Sequence, residues 1–260
     1  MNSKHKRAWI TGAASGIGRA CALELAKQNT DLAISDLLLK LPSLLELQQI
    51  IQDKNKNIKV IVVPLDVSNR QENINAVKII EEKIGGLDIV LFNAGITKSI
   101  DIKDFDSTLF EKIMQVNYFG VVYGVEAALR LLRQSACPCI IGMSSIAAFT
   151  DIPNNEPYCS SKAALSSFLR ILRGDLLPEK IPVTIVYPGL VNTPLLGDDI
   201  HTKKIAVTAE YAARCIIHGI NNKKKYIYFP LLFVFICRVI NIFPRPVSER
   251  IISLIRQLLD

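Results

Sequence analysis

The chain lacks the residue patterns that mark metal centres, secreted disulfide scaffolds and membrane spans. Its six cysteines (Cys21, Cys137, Cys139, Cys159, Cys215, Cys237) keep no metal-ligand spacing. Cys137-Pro138-Cys139 is CxC rather than CxxC, and His5, His201 and His218 all lie far from it in sequence. No metal is expected, and the thiols read as buried or incidental groups in a reducing, cytoplasmic compartment. No run of about 20 apolar residues, the length a spanning helix needs, is present. Met1 to Arg7 is short, polar and basic and offers no signal-peptide core or N-terminal anchor. A surplus of either charge is also missing from residues 1–202. The formal charge of +7 comes from residues 203–260, where ten Lys and Arg face only Glu210, Glu249 and Asp260. Those cations are scattered among aliphatic residues, which speaks against a nucleic-acid partner.

What is present is a chain of 260 residues, half of them hydrophobic, enough for one large α/β domain. Ala8-Trp9-Ile10 reads as a buried strand running into Thr11-Gly12-Ala13-Ala14-Ser15-Gly16-Ile17-Gly18, and Arg19 to Lys27 reads as a helix. Strand, glycine turn and helix form the setting in which a dinucleotide pyrophosphate rests on a helix N-terminus. The spacing is GxxxGxG, and no Gly-Lys-Ser/Thr follows, so it is not a P-loop. A second strand, Asp31 to Asp36, ends in an acid 18 residues after Gly18, where a carboxylate would accept hydrogen bonds from the adenosine ribose. Leu37 and Leu38 follow it and no basic residue lies between Thr11 and Gly16, so NAD(H) is favoured over NADP(H).

Further strands read at Val60–Val63, Asp88–Phe92, Cys139–Met143, Val183–Tyr187 and Tyr226–Phe229. Helices read at Leu44–Gln52, Gln71–Ile84, from Ser107 past Leu132, and at Tyr158–Leu177. The alternation predicts a single doubly wound parallel sheet of about seven strands flanked by helices, with right-handed crossovers. Asp66, with Val67 beside it, is placed to meet an adenine edge, and Asn93-Ala94-Gly95 leaves room for a flat ligand at a strand end. Asn117 interrupts an apolar helix, either as a packing hydrogen bond or at a kink that holds an ordered water. Ser145 ends the fifth strand. Tyr158 and Lys162 lie four apart, so they share one helix face, and an ammonium beside a phenol is expected to lower its pKa.

Taken in order, Thr11 to Gly18, Asp66, Asn93-Ala94-Gly95, Asn117, Ser145, Tyr158 with Lys162, and Pro188-Gly189 with Thr193 resemble the classical short-chain dehydrogenase/reductase family over residues 8 to about 228. The resemblance implies a Rossmann-type fold, a Ser145-Tyr158-Lys162-Asn117 catalytic group and nicotinamide-dependent interconversion of alcohols and carbonyl compounds. It implies that Tyr158 is the general acid/base, and that Lys162 lowers its pKa and holds the nicotinamide ribose. Ser145 steadies the substrate oxygen, and Asn117 holds a water behind Lys162. It further implies cofactor contacts by Thr11, Gly12, Ser15, Gly16, Ile17, Gly18, Asp36, Asp66, Val67, Asn93, Ala94, Gly95, Pro188, Gly189, Val191 and Thr193, and an assembly of two or four copies. Two departures stand out. Phe92 replaces the family's frequent asparagine, and Asn29-Thr30 replaces the usual glycine before the second strand, although asparagine also tolerates the left-handed C-cap.

Residues 1–229 read as the catalytic and dinucleotide-binding domain and 230–260 as an apolar, basic helical extension. Pro230 opens a helix from Leu231 to Phe243. Ile251, Leu254, Ile255 and Leu258 then fall at i, i+3, i+4, i+7, opposite Arg250, Ser253, Arg256 and Gln257. Apolar and basic together suit either peripheral contact with an anionic membrane or packing on the enzyme's own core or dimer interface. The tail is also the only ground for expecting an apolar, lipid-like alcohol or ketone. Two other functions stay open: an NADPH-dependent 3-oxoacyl-thioester reductase, which Asp36 disfavours, and an NAD-binding sensor or scaffold without turnover.

Overall fold

The structure is a computed structural model and describes residues 5–150, 152–196 and 204–240. Its centre is a seven-stranded, all-parallel sheet. The strands are β1 (Arg7–Thr11), β2 (Asp31–Ser35), β3 (Val60–Val62), β4 (Ile89–Phe92), β5 (Cys139–Met143), β6 (Val183–Pro188) and β9 (Tyr226–Phe229), in the spatial order β3-β2-β1-β4-β5-β6-β9. A further ribbon pairs β7 (Val191–Asn192) with β8 (Val207–Thr208). The helices are α1 (Gly16–Lys27), α2 (Leu41–Lys54), α3 (Arg70–Ile84), α4 (Ser107–Met114), α5 (Gly120–Arg133), α6 (Glu156–Asp175), α7 (Ala209–Asn221) and α8 (Leu231–Ile240). The expected seven-stranded Rossmann-type fold is thus what the chain forms.

The strands are apolar on both faces because helices cover both faces. Alternation along β1 divides the core. Ala8 and Ile10 pack with α1, α2 and α7 on one side, while Trp9 joins the cluster of α3, α5 and α6 on the other. Phe92 is accounted for by this second layer, where it meets Trp9 edge-on with ring centroids 6.0 Å apart. The entry to β2 uses Asn29 at φ 54°, as its left-handed tolerance predicts. At the start of β1, Arg7 clamps the entry to β4 by donating to both Asp88 oxygens, at 2.9 and 2.7 Å. Burial raises the Asp88 pKa, but hydrogen bonds from Arg7 and Ser135 outweigh it and hold the carboxyl below the usual range.

The chain winds outward from β1 to β3, then returns to β4 beside β1. This reversal opens a crevice at the carboxyl ends of β1 and β4, the place where doubly wound sheets take ligands. Two elements escaped the sequence reading. Helix α7 is capped by the Thr208 hydroxyl, which accepts from the Tyr211 N–H at 3.2 Å, and it lies along α1 through small residues such as Ala212 and Ala213. The β7–β8 ribbon is too short to leave a pattern. The amphipathic run of Ile251, Leu254, Ile255 and Leu258 lies outside the described residues, as does the end of the Leu231–Phe243 helix beyond Ile240.

Candidate active site

The glycine turn is built by close approach. Gly12 (φ 67°) and Gly16 (φ 54°) occupy the left-handed region. A Cβ on Gly18 would sit 2.2 Å from the Gly12 carbonyl oxygen, so only glycine lets α1 start this near β1. A Cβ on Gly16 would press the Thr193 methyl at 3.0 Å, which ties the segment after β6 to the turn. Helix α1 begins without a side-chain cap from Ser15 and without an acid in its first turn. Its leading N–H groups therefore have no carboxylate competitor.

Thr11 and Asn93 brace this turn. The Thr11 hydroxyl accepts from the Asn93 and Ala94 N–H groups at 3.1 and 3.2 Å, and the Asn93 amide donates to the Thr11 and Gly12 carbonyls at 3.1 and 3.0 Å. Across the mouth, Asp36 accepts from the Ala14 and Leu37 N–H groups at 3.0 and 2.9 Å. Asp66 accepts from Ser68 through both its N–H and its hydroxyl.

Together these residues line a cleft of ≈ 230 Å³. Gly12, Ser15, Gly16, Ile17, Asp36, Asp66, Val67, Asn93, Ala94, Gly95 and Thr193 face it, all of them anticipated from sequence. Thr11 and Gly18 stand behind it as supports. Pro188, Gly189 and Val191 are outside its lining. Gly189 donates to the Phe229 carbonyl at 2.7 Å, and Val191 is buried in β7. Lys40 was overlooked. It lies four residues past Asp36, and the 3₁₀ turn Leu38–Lys40 folds it back onto the cleft wall. Ile96, Val116 of a π-helical turn, and Pro194 and Leu195 of a 3₁₀ turn also join the lining, at positions with no signature of their own.

The second half of the site grows from α6. Its turn spacing brings Lys162 under Tyr158, with the ammonium 5.6 Å from the phenol ring centroid. Lys162 is 4% exposed and donates to the Met143 carbonyl at 2.9 Å. Gly95 is small enough to admit it, since a Cβ there would lie 3.4 Å from Nζ and 3.2 Å from Asn117 Oδ1. Gly95 therefore joins the cleft to the Tyr158–Lys162 pair. Ser145 is buried at the end of β5, where its hydroxyl accepts from the Ala147 N–H at 3.1 Å.

Asn117 sits in a π-helical turn, Gln115–Phe119, between α4 and α5, the kind of insertion that often marks a functional position. Its amide is fully used. Oδ1 accepts from the Ile96 N–H at 2.8 Å, and Nδ2 donates to the Ile96 carbonyl at 2.9 Å and to the Ser161 hydroxyl at 3.0 Å. The expected packing hydrogen bonds are made, and the helix is distorted at this point. Ser161, which the sequence did not single out, passes the link on by donating to the Tyr158 carbonyl at 2.7 Å.

Burial dominates the titration of the pair. It brings Lys162 down to about 8. It pushes the Tyr158 phenol up to about 12, with a hydrogen bond to Ser145 pulling the other way. This is opposite to the expected direction for Tyr158, because the cost of burying an anion outweighs the hydrogen bond from Ser145. The phenol is thus held in its protonated form at neutral pH. Among the described residues no group of three His, Cys, Asp or Glu could hold a metal ion.

Comparison with known proteins places these features in context. The family model described as short chain dehydrogenase matches residues 6–204. An uncharacterized oxidoreductase of Staphylococcus saprophyticus is 33% identical over 214 residues, covering 80% of this chain and 90% of its own. A short chain dehydrogenase/reductase from Burkholderia phymatum, solved in complex with NAD, superposes with a TM-score of 0.81 at 21% identity, over 92% of this chain and 93% of its own. An alcohol dehydrogenase from the archaeon Thermococcus sibiricus, complexed with 5-hydroxy-NADP, gives 0.78 at 23% identity, over 86% and 96%. At these identities the two structures speak for the fold.

Proposed function

The chain belongs to the short-chain dehydrogenase family of oxidoreductases, and from that premise we propose that it is an NAD(H)-dependent enzyme interconverting a secondary alcohol and a ketone, or an alcohol and an aldehyde. One observation carries this reading. Gly95 joins the glycine-turn cleft to the Tyr158–Lys162 pair, so a flat ring in that cleft would end beside a phenol. The residues present fit a dinucleotide. The start of α1 is uncapped and free of acids, the three glycines leave no room for Cβ atoms, and Asp36 lies across the mouth. Gly12 to Gly18 would hold the pyrophosphate, Asp36 the adenosine ribose, Asp66 and Val67 the adenine edge. Lys162 would hold the second ribose, and Pro188, Gly189, Val191 and Thr193 the carboxamide side.

Hydride exchange with carbon is the chemistry that a bound nicotinamide supplies. The protein handles the proton. Tyr158 accepts it from the substrate hydroxyl in oxidation and returns it to the carbonyl oxygen in reduction. Ser145 donates to the same oxygen as charge develops there. Asn117 holds the end of β4 against α6 through Ile96 and Ser161, and so keeps Gly95, Tyr158 and Lys162 in register. The water relay behind Lys162 remains part of the proposal.

Asp36 supports NAD(H), because its charge repels a 2′-phosphate, while Lys40 beside it works against that choice. Asp36→Asn is expected to move the ratio of kcat/KM for NAD(H) over NADP(H) roughly fivefold toward NADP(H). That corresponds to about 1 kcal/mol of screened repulsion at ~4 Å. A steady-state comparison with both cofactors measures it, and an unchanged ratio removes Asp36 from the choice. The same comparison separates this reading from an NADPH-dependent 3-oxoacyl-thioester reductase. Turnover itself separates it from a non-catalytic sensor or scaffold.

We take residues 1–229 as the catalytic domain and 230–260 as the extension that directs it to an apolar, lipid-like substrate, in an assembly of two or four copies. Val234 of α8 is 4% exposed and packs with Ile146, one residue past Ser145, while Leu231, Leu232 and Phe235 are 71%, 73% and 65% exposed. Among the described residues no helix is long and apolar enough to cross a membrane. This exposed face instead suits the peripheral membrane contact of the proposal. Leu231→Ser, Leu232→Ser and Phe235→Ser together, in the full chain, are expected to abolish its sedimentation with anionic vesicles. Sedimentation that survives the triple substitution rules this face out.

A further inference from the structure

The opposite edge of the sheet carries a second cavity that the reaction does not use. It is ≈ 570 Å³ and touches Ile89, Cys139 and Val183, the first residues of β4, β5 and β6, so it lies a full strand length from the cofactor cleft. Six cations line it: Lys6, Arg173, Lys180, Lys223, Lys224 and Lys225. No carboxylate does. Among the described residues none of the six takes part in an ion pair.

The fold fixes the Arg173 side chain and the backbone of the lysine turn. The Arg173 guanidinium lies 4.5 Å from the Tyr226 ring centroid and donates to the Tyr226 hydroxyl at 2.5 Å and to the Lys225 carbonyl at 3.4 Å. That leaves most of its five N–H donors for a ligand. The lysine turn is fixed through its backbone. The Lys223 and Lys224 N–H groups donate to Ile220 and Gly219, both at 2.9 Å, and the Lys224 carbonyl accepts from Thr184 at 2.8 Å. Lys180 and Lys223 occupy left-handed conformations, φ 57° and 53°, where glycine or asparagine is less strained.

The bland explanation is that these lysines serve helix carboxyl ends, since α5, α6 and α7 all finish near this edge. Three such ends amount to about −1.5 charges, at roughly half a charge each. Six cations exceed that several-fold, so the basin stays strongly positive. Its floor is apolar, from Ile181, Pro182 and Ile220. A cationic rim over an apolar floor of this volume matches an amphiphilic anion of small-molecule size. We propose that this basin is a second binding site, taking a small organic phosphate with its phosphoryl group on Arg173 and the lysine turn and its carbon part on the floor.

Isothermal titration of the full chain tests this, with phenyl phosphate, inorganic phosphate and monomeric dihexanoyl phosphatidate as probes, each with and without saturating NAD. Phenyl phosphate is expected to bind at one site, tighter than inorganic phosphate, and to be indifferent to NAD. Arg173→Gln with Lys224→Gln should weaken it at least tenfold. Lys224→Gln alone, at an exposed side chain, should weaken it several-fold without touching the fold. Asp36→Asn, at the other edge, should leave it unchanged. Binding of the phosphatidate alone would uphold the site and identify a lipid headgroup as the source. Affinity unchanged in the Arg173 and Lys224 variants, displacement of the probe by NAD, or no binding of any probe overturns the proposal. Because the basin variants are read separately from NAD binding, failure here leaves the oxidoreductase reading intact, and the reverse also holds.

Discussion

Tyr158→Phe is expected to lower kcat by roughly a thousandfold while NAD(H) affinity stays within a factor of about two. A positioned general acid/base typically contributes 10²–10⁴-fold, and the substitution removes the hydroxyl alone. The phenyl ring keeps its place over the Lys162 ammonium and in the half-buried wall of α6. Stopped-flow fluorescence for cofactor binding and steady-state rates in both directions measure the two quantities. A loss below tenfold removes Tyr158 from proton transfer. The pH profiles add a sign. With the phenol pushed up to about 12, reduction, which needs the protonated form, should be flat through neutrality and fall only on the alkaline side. Oxidation, which needs the phenolate, should rise with pH across the same range. A positive charge brought beside the hydroxyl moves both limbs to lower pH without exchanging their signs. Both slopes should disappear in Tyr158→Phe.

The parts of this site that the sequence exposed are those whose chemistry is local. Gly12, Gly16 and Gly18 declare themselves because a turn packed against a strand end tolerates no Cβ, and the requirement is written within eight residues. Tyr158 and Lys162 share a helix face by spacing alone, and Asp36 ends a strand whose apolar run fixes its edge. Parallel strands buried on both faces are equally plain as continuous aliphatic runs. What stayed hidden depends on distant partners. Ser161 matters only because the π-turn carries Asn117 to it across 44 positions. Lys40 enters the cleft because a 3₁₀ turn, which has no strong sequence signature, reverses the chain after Asp36. The direction of the Tyr158 shift is hidden from the sequence for the same reason. Spacing reveals the neighbouring cation but neither the depth of burial nor the Met143 carbonyl that engages that cation.

Lys162→Met is expected to change stability and activity in opposite directions. Lys162 is buried with a pKa of about 8, against about 10.4 in an unfolded chain. The folded state therefore resists its proton, and below pH 8 that resistance costs about 3 kcal/mol at 1.36 kcal/mol per pH unit. Methionine has nearly the same length and no charge to bury. It leaves the Met143 carbonyl without the bond at 2.9 Å, which returns about 1 kcal/mol. The net expectation at pH 7 is a gain of about 2 kcal/mol in unfolding free energy, measured by urea titration. The sign with pH follows from proton counting. Between about pH 8 and 10.4 the unfolded chain binds the extra proton, so native stability rises with pH through that window and levels off above it. Lys162→Met should lose this rise. Activity should fall at least a hundredfold, because the cation that would orient the cofactor ribose and bias Tyr158 toward phenolate is gone. A variant that is more stable and inactive would mark Lys162 as a residue kept for chemistry at the expense of the fold. Equal stability across pH 7–10 would mean that the ammonium is already solvated in the native state.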